Sequence, residues 1–310
     1  MTVAFRFWTE LRLLNSEVRI DKMMYICADD FGLCDEGSRH IAECVQRGAL
    51  NKISVFPNMC PIDTEQLKNC GAKHLSLHIN LVEGKPLSDP NKVGLLIDAD
   101  GNFKHSFVGL LKLSLTKRKE FEKQVYEEIK AQVNMWKSVL PEGFAMMLDS
   151  HQHTHMIPSV FRMLMKVIKD EGLETDYLRI PAEPIKPYLF TPSLWFTYKP
   201  VNIIKVLLLK FLWVVNKKAY SETPVKTALF FGVMFSGKMD EKRVSKVLCR
   251  YIKTAQKKGR DIEVLFHPGF VEGNPIEIQK MPFSEFYMSG GRKTEYDALM
   301  KLNTKNIKEV

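Results

Sequence analysis

Asp29 and Asp30 stand side by side in the run CADDFGL. Adjacent carboxylates repel, so one of the pair suits a cation while the other stays free to work as a base. The competing use of an aspartate here is a helix N-cap, but Asp35, just before an amphipathic stretch, is better placed for it. Further on, DSHQHTH (Asp149–His155) carries three histidines at i, i+2 and i+4, which share one face of an extended chain. On a helix His151 and His155 would pair instead; Pro158 and the helical pattern after it favour the extended strand-end geometry. Neutral imidazoles suit Zn²⁺ and similar ions, and Asp149 is placed to orient a ring from behind. The motif alone does not choose among His151, His153 and His155.

Three more groups join them. In LSLHINL, alternation puts Leu75, Leu77, Ile79 and Leu81 on one face and His74, Ser76, His78 and Asn80 on the other. A polar face on a buried strand has to look into water or into a site. His267, in VLFHPG before a Pro-Gly turn, suits a general acid; a buried histidine with a backbone partner is the rival use. Arg179, in YLRIP, is a strand-end charge that would pair with a carboxylate at the mouth and is a candidate catalytic residue beside Asp29 and His267; a structural salt bridge is the rival use.

The elements that must position these groups are short apolar runs at Met23–Ala28, Ile53–Phe56, Leu75–Leu81, Phe144–Leu148, Tyr177–Ile180, Ala228–Val233 and Ile262–Phe266. Between most of them lie stretches with helical periodicity: Glu36–Gln46, Thr64–Asn69, Lys119–Leu140, Ser159–Lys169 and Glu241–Lys257. Such alternation predicts an α/β fold with a parallel sheet, and seven strand candidates favour a distorted TIM-like barrel. Every group named above lies late in a strand or just after one, and the C-terminal strand ends of such a barrel converge on one mouth. The organisation expected is an N-terminal extension over 1–22, then a single domain over 23–310 with insertions at about 83–117 and 181–226. The second insertion begins with Pro181, Pro184, Pro187, Pro192 and Pro200, an irregular loop by composition.

Composition narrows the function. With 310 residues, 45% hydrophobic and 26% charged, the chain is neither disordered nor fibrous. Six cysteines without a CxxC pair exclude zinc-finger and thioredoxin-like readings and point to reduced thiols in a cytoplasmic protein. The first twenty residues lack the apolar core and cleavage site of a signal peptide. The net charge of +9 fits weak attraction to acidic surfaces. Its lysines, spread through 112–137 and 242–258 without interleaved aromatics, look like solvated helix faces and give no nucleic-acid footprint. The apolar run Val201–Val215 is interrupted by Lys205 and Lys210 and falls short of the roughly 20 residues of a membrane span. It reads as a core helix or as an interfacial one, making peripheral membrane contact. A homo-oligomer is compatible with the sequence.

Taken together, CADDFGLCDEG, HLSLHINLVEGKPL and LDSHQHTHMIP, with LRIPAE and LFHPG in support, resemble the YdjC-like (ChbG/HpnK) carbohydrate deacetylases over most of Met24–Gly273. The resemblance implies a distorted (β/α) barrel and one divalent metal ion, Mg²⁺ or Zn²⁺, held by Asp30, His78 and His151. It implies Asp29 as catalytic base and His267 as acid. If one of the three ligands is misplaced, His153 and then His155 are the substitutes the motif offers. The expected reaction is hydrolysis of the N-acetyl group of an amino sugar, free or lipid-linked. The two rivals are a metal-dependent phosphoesterase, which would favour bridging carboxylates and a second metal, and a catalytically silent carbohydrate- or membrane-binding protein.

Overall fold

A computed structural model describes residues 24–302 apart from Asn274; the expected extension over 1–22 lies outside the described residues. The strands are β1 (Met24–Phe31), β2 (Lys52–Val55), β3 (His74–Ile79), β4 (Met146–Ser150), β5 (Thr175–Leu178), β6 (Leu229–Phe231) and β7 (Ile262–Phe266). They form one sheet in the order β5-β4-β3-β2-β1-β7-β6. All the pairings are parallel. Strands buried on both faces have to be built from long apolar runs, which is why they can be found in the sequence.

The sheet curls until its ends approach each other. Leu178 N at the end of β5 donates to Lys226 O, just before β6, at 3.0 Å. Tyr177 Oη crosses the interior from β5 to Glu263 Oε2 on β7 at 2.5 Å. The distorted barrel expected from the alternation is therefore present.

Its interior differs from the branched aliphatic layers usual in such barrels. Lys52, Asp149, Arg179 and Glu263 are all fully buried there. Lys52 Nζ donates to Glu263 Oε1 at 2.8 Å and Arg179 Nη2 to the same oxygen at 2.9 Å. The apolar core lies outside the sheet, where Leu75 and Leu77 meet the surrounding helices.

Those helices are α1 (Asp35–Arg47), α2 (Thr64–Asn69), α3 (Phe107–Thr116), α4 (Arg118–Val139), α5 (Pro158–Asp170), α6 (Pro200–Glu222), α7 (Glu241–Lys258) and α8 (Gly290–Lys301), with shorter turns between. Asp35 does not cap α1: Cys34 takes the cap position, its Sγ accepting from Gly37 N at 3.4 Å, and Asp35 lies in the first turn. Its charge still favours the helix N-terminus there. The 83–117 insertion contains a small bridge, Ile97 to Phe103, followed by α3. The proline-rich start of the 181–226 insertion is pinned by the buried Glu183 carboxylate, which accepts from Val233 N at 2.6 Å, Met234 N at 3.2 Å and Tyr188 Oη at 2.8 Å. The apolar run lies in α6, and no helix among the described residues is long and apolar enough to cross a membrane.

Candidate active site

On a regular strand Asp29 and Asp30 would point to opposite faces. Tyr25, Cys27 and Asp29 share the inward face of β1: Lys52 Nζ lies over the Tyr25 ring, and Arg179 Nη2 reaches both Cys27 Sγ and Asp29 Oδ1. Asp30 should then face the helices. The register of β1 against β2 shifts between Ala28 and Phe31, and Asp30 has φ of 72°, in the left-handed region that non-glycine residues rarely occupy. This bulge turns Asp30 inward as well. Both carboxylates reach one site from consecutive positions, and the strained backbone marks where the chain was bent to do it.

Asp30 Oδ1 lies 3.2 Å from His151 Nδ1 and 3.5 Å from His78 Nε2. Asp30 Oδ1 and His78 Nε2 are both buried without a hydrogen-bond partner. The other ring nitrogens explain this. His78 Nδ1 is 2.6 Å from Asp149 Oδ1, and an ionised carboxylate only accepts, so Nδ1 carries the proton and Nε2 presents a lone pair. Ser54 Oγ donates to the same Asp149 oxygen. His151 Nε2 is 3.1 Å from Tyr287 Oη, which donates to Glu83 Oε1 at 2.9 Å, so Nε2 is the donor and Nδ1 is left bare. With both rings neutral, two imidazole lone pairs and a carboxylate oxygen thus face one another. That arrangement suits a cation.

The charges agree. Asp29, Asp30, Asp149 and Glu263 outnumber the buried cations Lys52, Arg179 and Arg292. Burial opposes ionisation of Asp30, but the Arg292 guanidinium beside it, together with His151 and His78, more than offsets this and holds the carboxyl well below its usual range. Burial keeps His151 neutral, lowering its pKa. At His78 burial is outweighed by the carboxylates of Asp29, Asp149 and Asp30, which push its pKa up to about 10, so a proton competes with a metal ion for the Nε2 lone pair. A positive charge belongs in this pocket. Phe56 closes it on one side, its ring centre 5.1 Å from that of His78 and 4.9 Å from that of His151.

A second set, Asp29, His78 and Asp149, also gathers within ligand distance. Its atoms are already engaged: Arg179 binds both Asp29 oxygens, at 2.7 and 2.8 Å, and the His78–Asp149 contact is a hydrogen bond. Arg179 itself is fully buried, and its guanidinium also reaches Glu263 Oε1, so it holds Asp29 in place.

The extended reading of DSHQHTH is overturned. His151–Met156 forms a tight 3₁₀ turn in which Gln152 and His153 take left-handed φ values of 51° and 58°. The turn scatters the three rings. His151 faces Asp30, as above. His153 packs edge-on to Phe230 with Nδ1 buried and unpaired, and burial drives its pKa well below the usual histidine value. His155 is locked between Ser150 Oγ at 2.5 Å and Arg179 O at 2.9 Å. Neither joins the ligand set. Asp149 does orient an imidazole, but that of His78 on the neighbouring strand. His267 follows β7 with its ring edge-on to Phe286 and its Nδ1 3.5 Å from Glu295 Oε2.

Tyr287, Arg292 and Glu83 went unseen in the sequence. Tyr287 and Arg292 come from the last part of the chain, and the Arg292 guanidinium lies over the rings of Phe286 and Tyr287 while holding Asp30. The Tyr287 hydroxyl fixes which nitrogen of His151 is bare. Tyr287→Phe is therefore expected to weaken Zn²⁺ or Co²⁺ binding by about 10–100-fold, measured by competition against a chromogenic chelator, with the melting temperature little changed. Unaltered affinity would remove Tyr287 from the site.

Among known proteins, a carbohydrate deacetylase from Danio rerio is 30% identical over 166 residues, 52% of this chain and 50% of that one. A carbohydrate deacetylase from Thermoanaerobacter pseudethanolicus is 39% identical over 89 residues, 28% of this chain and 35% of the relative. A chitooligosaccharide deacetylase from Yersinia enterocolitica is 26% identical over 186 residues, 57% of this chain and 68% of its own. The chain thus spans about half the length, or less, of the first two. A crystal structure from Enterococcus faecalis, assigned there as a candidate cellobiose-phosphate cleavage protein, superposes with a TM-score of 0.63, covering 92% of this chain and 93% of that one. At 18% identity it speaks for the fold alone. Residues 23–309 match the family described as YdjC-like protein, and with the match spanning nearly the whole chain, the protein belongs to that family.

Proposed function

We propose that the protein is a carbohydrate N-deacetylase, hydrolysing the acetamide of an acetylated amino sugar with the help of one divalent metal ion. The observation that carries the reading is the convergence of Asp30 Oδ1, His78 Nε2 and His151 Nδ1 beside a second carboxylate, Asp29, that is held by an arginine. The names of the deacetylase relatives support the substrate class.

Asp30, His78 and His151 would hold the ion. Two imidazole nitrogens favour Zn²⁺ or a neighbouring transition ion over Mg²⁺, which prefers oxygen. Polarisation of the amide carbonyl and a lowered water pKa are what such an ion supplies when bound. The remaining work belongs to the chain. Arg179 fixes the plane of Asp29, whose Oδ2 lies 3.9 Å from His78 Nε2 and takes the proton of the attacking water. Asp149 and Tyr287 keep the two imidazoles in the tautomers that leave the facing nitrogens bare. His267, backed by Glu295, delivers a proton to the departing sugar amine. Phe56 keeps bulk water from one wall of the pocket. Products are acetate and the free amino sugar.

Acetate release from N-acetylglucosamine oligomers is the direct test. Release that stops with a chelator and returns with added Zn²⁺ is expected. Absence of acetate from any N-acetylated sugar, with phosphate released from a phosphoester instead, would overturn the assignment.

A further inference from the structure

Helix α6 is apolar on two faces. Val206, Leu209 and Leu212 are buried against the body of the protein. Ile204, Leu207, Phe211, Val214 and Val215 are exposed, Ile204 to 65% and Phe211 to 63%. At 3.6 residues per turn these five fall within about 100° of one another, a continuous outer stripe along a helix of about 35 Å. The segment leading into the helix extends the surface with exposed Phe190 and Trp195 and a fully exposed Phe196. Contiguous exposed apolar surface of this kind marks a contact site.

The charges around the stripe identify what it meets. Between residues 184 and 221 there are six lysines, Lys186, Lys199, Lys205, Lys210, Lys217 and Lys218, and no aspartate or glutamate. Lys205 flanks the stripe on one side, and Lys210 and Lys217 flank it on the other. A second copy of the chain packed on the same patch across a two-fold axis would bring lysines against lysines with no local acid to answer them. A bilayer with anionic headgroups accepts both features at once: apolar side chains enter the acyl boundary while lysines reach the headgroups.

The position of the helix ties the stripe to the mouth. Asn202 Nδ2 donates to Met234 O at 3.1 Å, Lys210 Nζ to Glu183 O at 3.1 Å and Asn216 Nδ2 to Met156 O at 2.8 Å. These carbonyls belong to the segments that follow β6, β5 and β4, so the helix is seated on loops at the C-terminal strand ends, where the candidate active site lies.

We infer that the outer face of α6, with the Phe190–Phe196 segment, docks the protein peripherally on an anionic lipid bilayer, α6 lying in the plane of the interface. The inference does not depend on the reaction proposed above. It is tested with the full chain by co-sedimentation with vesicles of equal parts phosphatidylglycerol and phosphatidylcholine, against vesicles of phosphatidylcholine alone. Binding to the mixed vesicles is expected, reduced about tenfold or more by the double charge reversal Lys217→Glu with Lys218→Glu. The exposed-face variant Ile204→Ser with Phe211→Ser should bind correspondingly weakly, with far-UV circular dichroism and elution volume unchanged for both. Failure of the wild-type chain to sediment with the mixed vesicles overturns the inference. So does undiminished binding by either variant. Concentration-dependent self-association that disappears in the Ile204→Ser, Phe211→Ser variant, without vesicle binding, would instead assign the patch to a second copy.

Discussion

Asp29→Asn is expected to lower turnover on an N-acetylated sugar by about 10²–10⁴ while leaving divalent-metal affinity near the wild-type value. His151→Ala is expected to lose both metal and turnover. The contrast follows from the partners of the two residues. Asparagine keeps the shape of Asp29 and still accepts a hydrogen bond from Arg179, but it cannot take a proton from water. Arg179 does not become an isolated buried charge in this variant, because Nε and Nη2 retain Glu263 Oε1 at 3.1 and 2.9 Å and Asp149 Oδ2 is 3.3 Å away. His151→Ala removes one of the three ligand atoms outright. Isothermal titration with Zn²⁺, paired with steady-state kinetics, separates the two effects. If Asp29→Asn loses metal as severely as His151→Ala, the alternative cluster of Asp29, His78 and Asp149 is the metal site and the base lies elsewhere.

Much of this site is legible in the sequence, for a reason particular to parallel barrels. Strands buried on both faces have to be apolar, so a polar residue in one stands out. The alternation of LSLHINL singled out His78 in this way, and β3 does turn His74, Ser76 and His78 to the side opposite Leu75 and Leu77. What stayed hidden is where the backbone breaks its own period. Nothing in CADDFGL announces a left-handed aspartate, yet without the bulge Asp30 would face the helices. The three histidines of DSHQHTH suggest one shared face only if strand periodicity runs on to His155, five residues past the end of β4 at Ser150; left-handed Gln152 and His153 end it at once. Tyr287 and Arg292 were hidden for another reason. They sit near a helix that opens on Gly290-Gly291, an unpromising start, and act across 136 and 262 residues of chain on His151 and Asp30. Lys52 and Glu263 were likewise invisible as partners, because their pairing depends on β2 and β7 both flanking β1, a strand order that the sequence does not print.

That interior pair carries the largest stability effect expected here. Glu263→Gln should destabilise the protein by about 3–5 kcal/mol, the usual cost of breaking a fully buried ion pair from one side. The carboxylate accepts from Lys52 Nζ at 2.8 Å, from Arg179 Nε and Nη2 at 3.1 and 2.9 Å, and from Tyr177 Oη at 2.5 Å. Glutamine can still meet Tyr177 but leaves two buried cations short of a counter-charge. The same bonds set a pH signature. Burial by itself would raise the Glu263 pKa, but Arg179 and Lys52 outweigh it and bring the group from 4.5 down to about 2. A carboxyl that is more acidic in the folded state than in the unfolded chain stabilises the fold above the unfolded pKa. Its contribution is fully present above about pH 4.5 and is lost as pH falls toward about 2. By that linkage the wild-type protein loses about 3 kcal/mol across this interval through Glu263 alone. The Gln variant, having no proton to take up there, should show a correspondingly flatter fall. Urea unfolding of both proteins at a series of pH values from 7 downward gives the difference directly, and subtracting the two curves cancels the other acids that titrate in the same range. A variant within about 1 kcal/mol of wild type at neutral pH, the scale of an ordinary surface change, would mean that the interior charges are balanced without Glu263. A difference between the curves that stays constant with pH would mean that Glu263 has no special acidity in the folded protein.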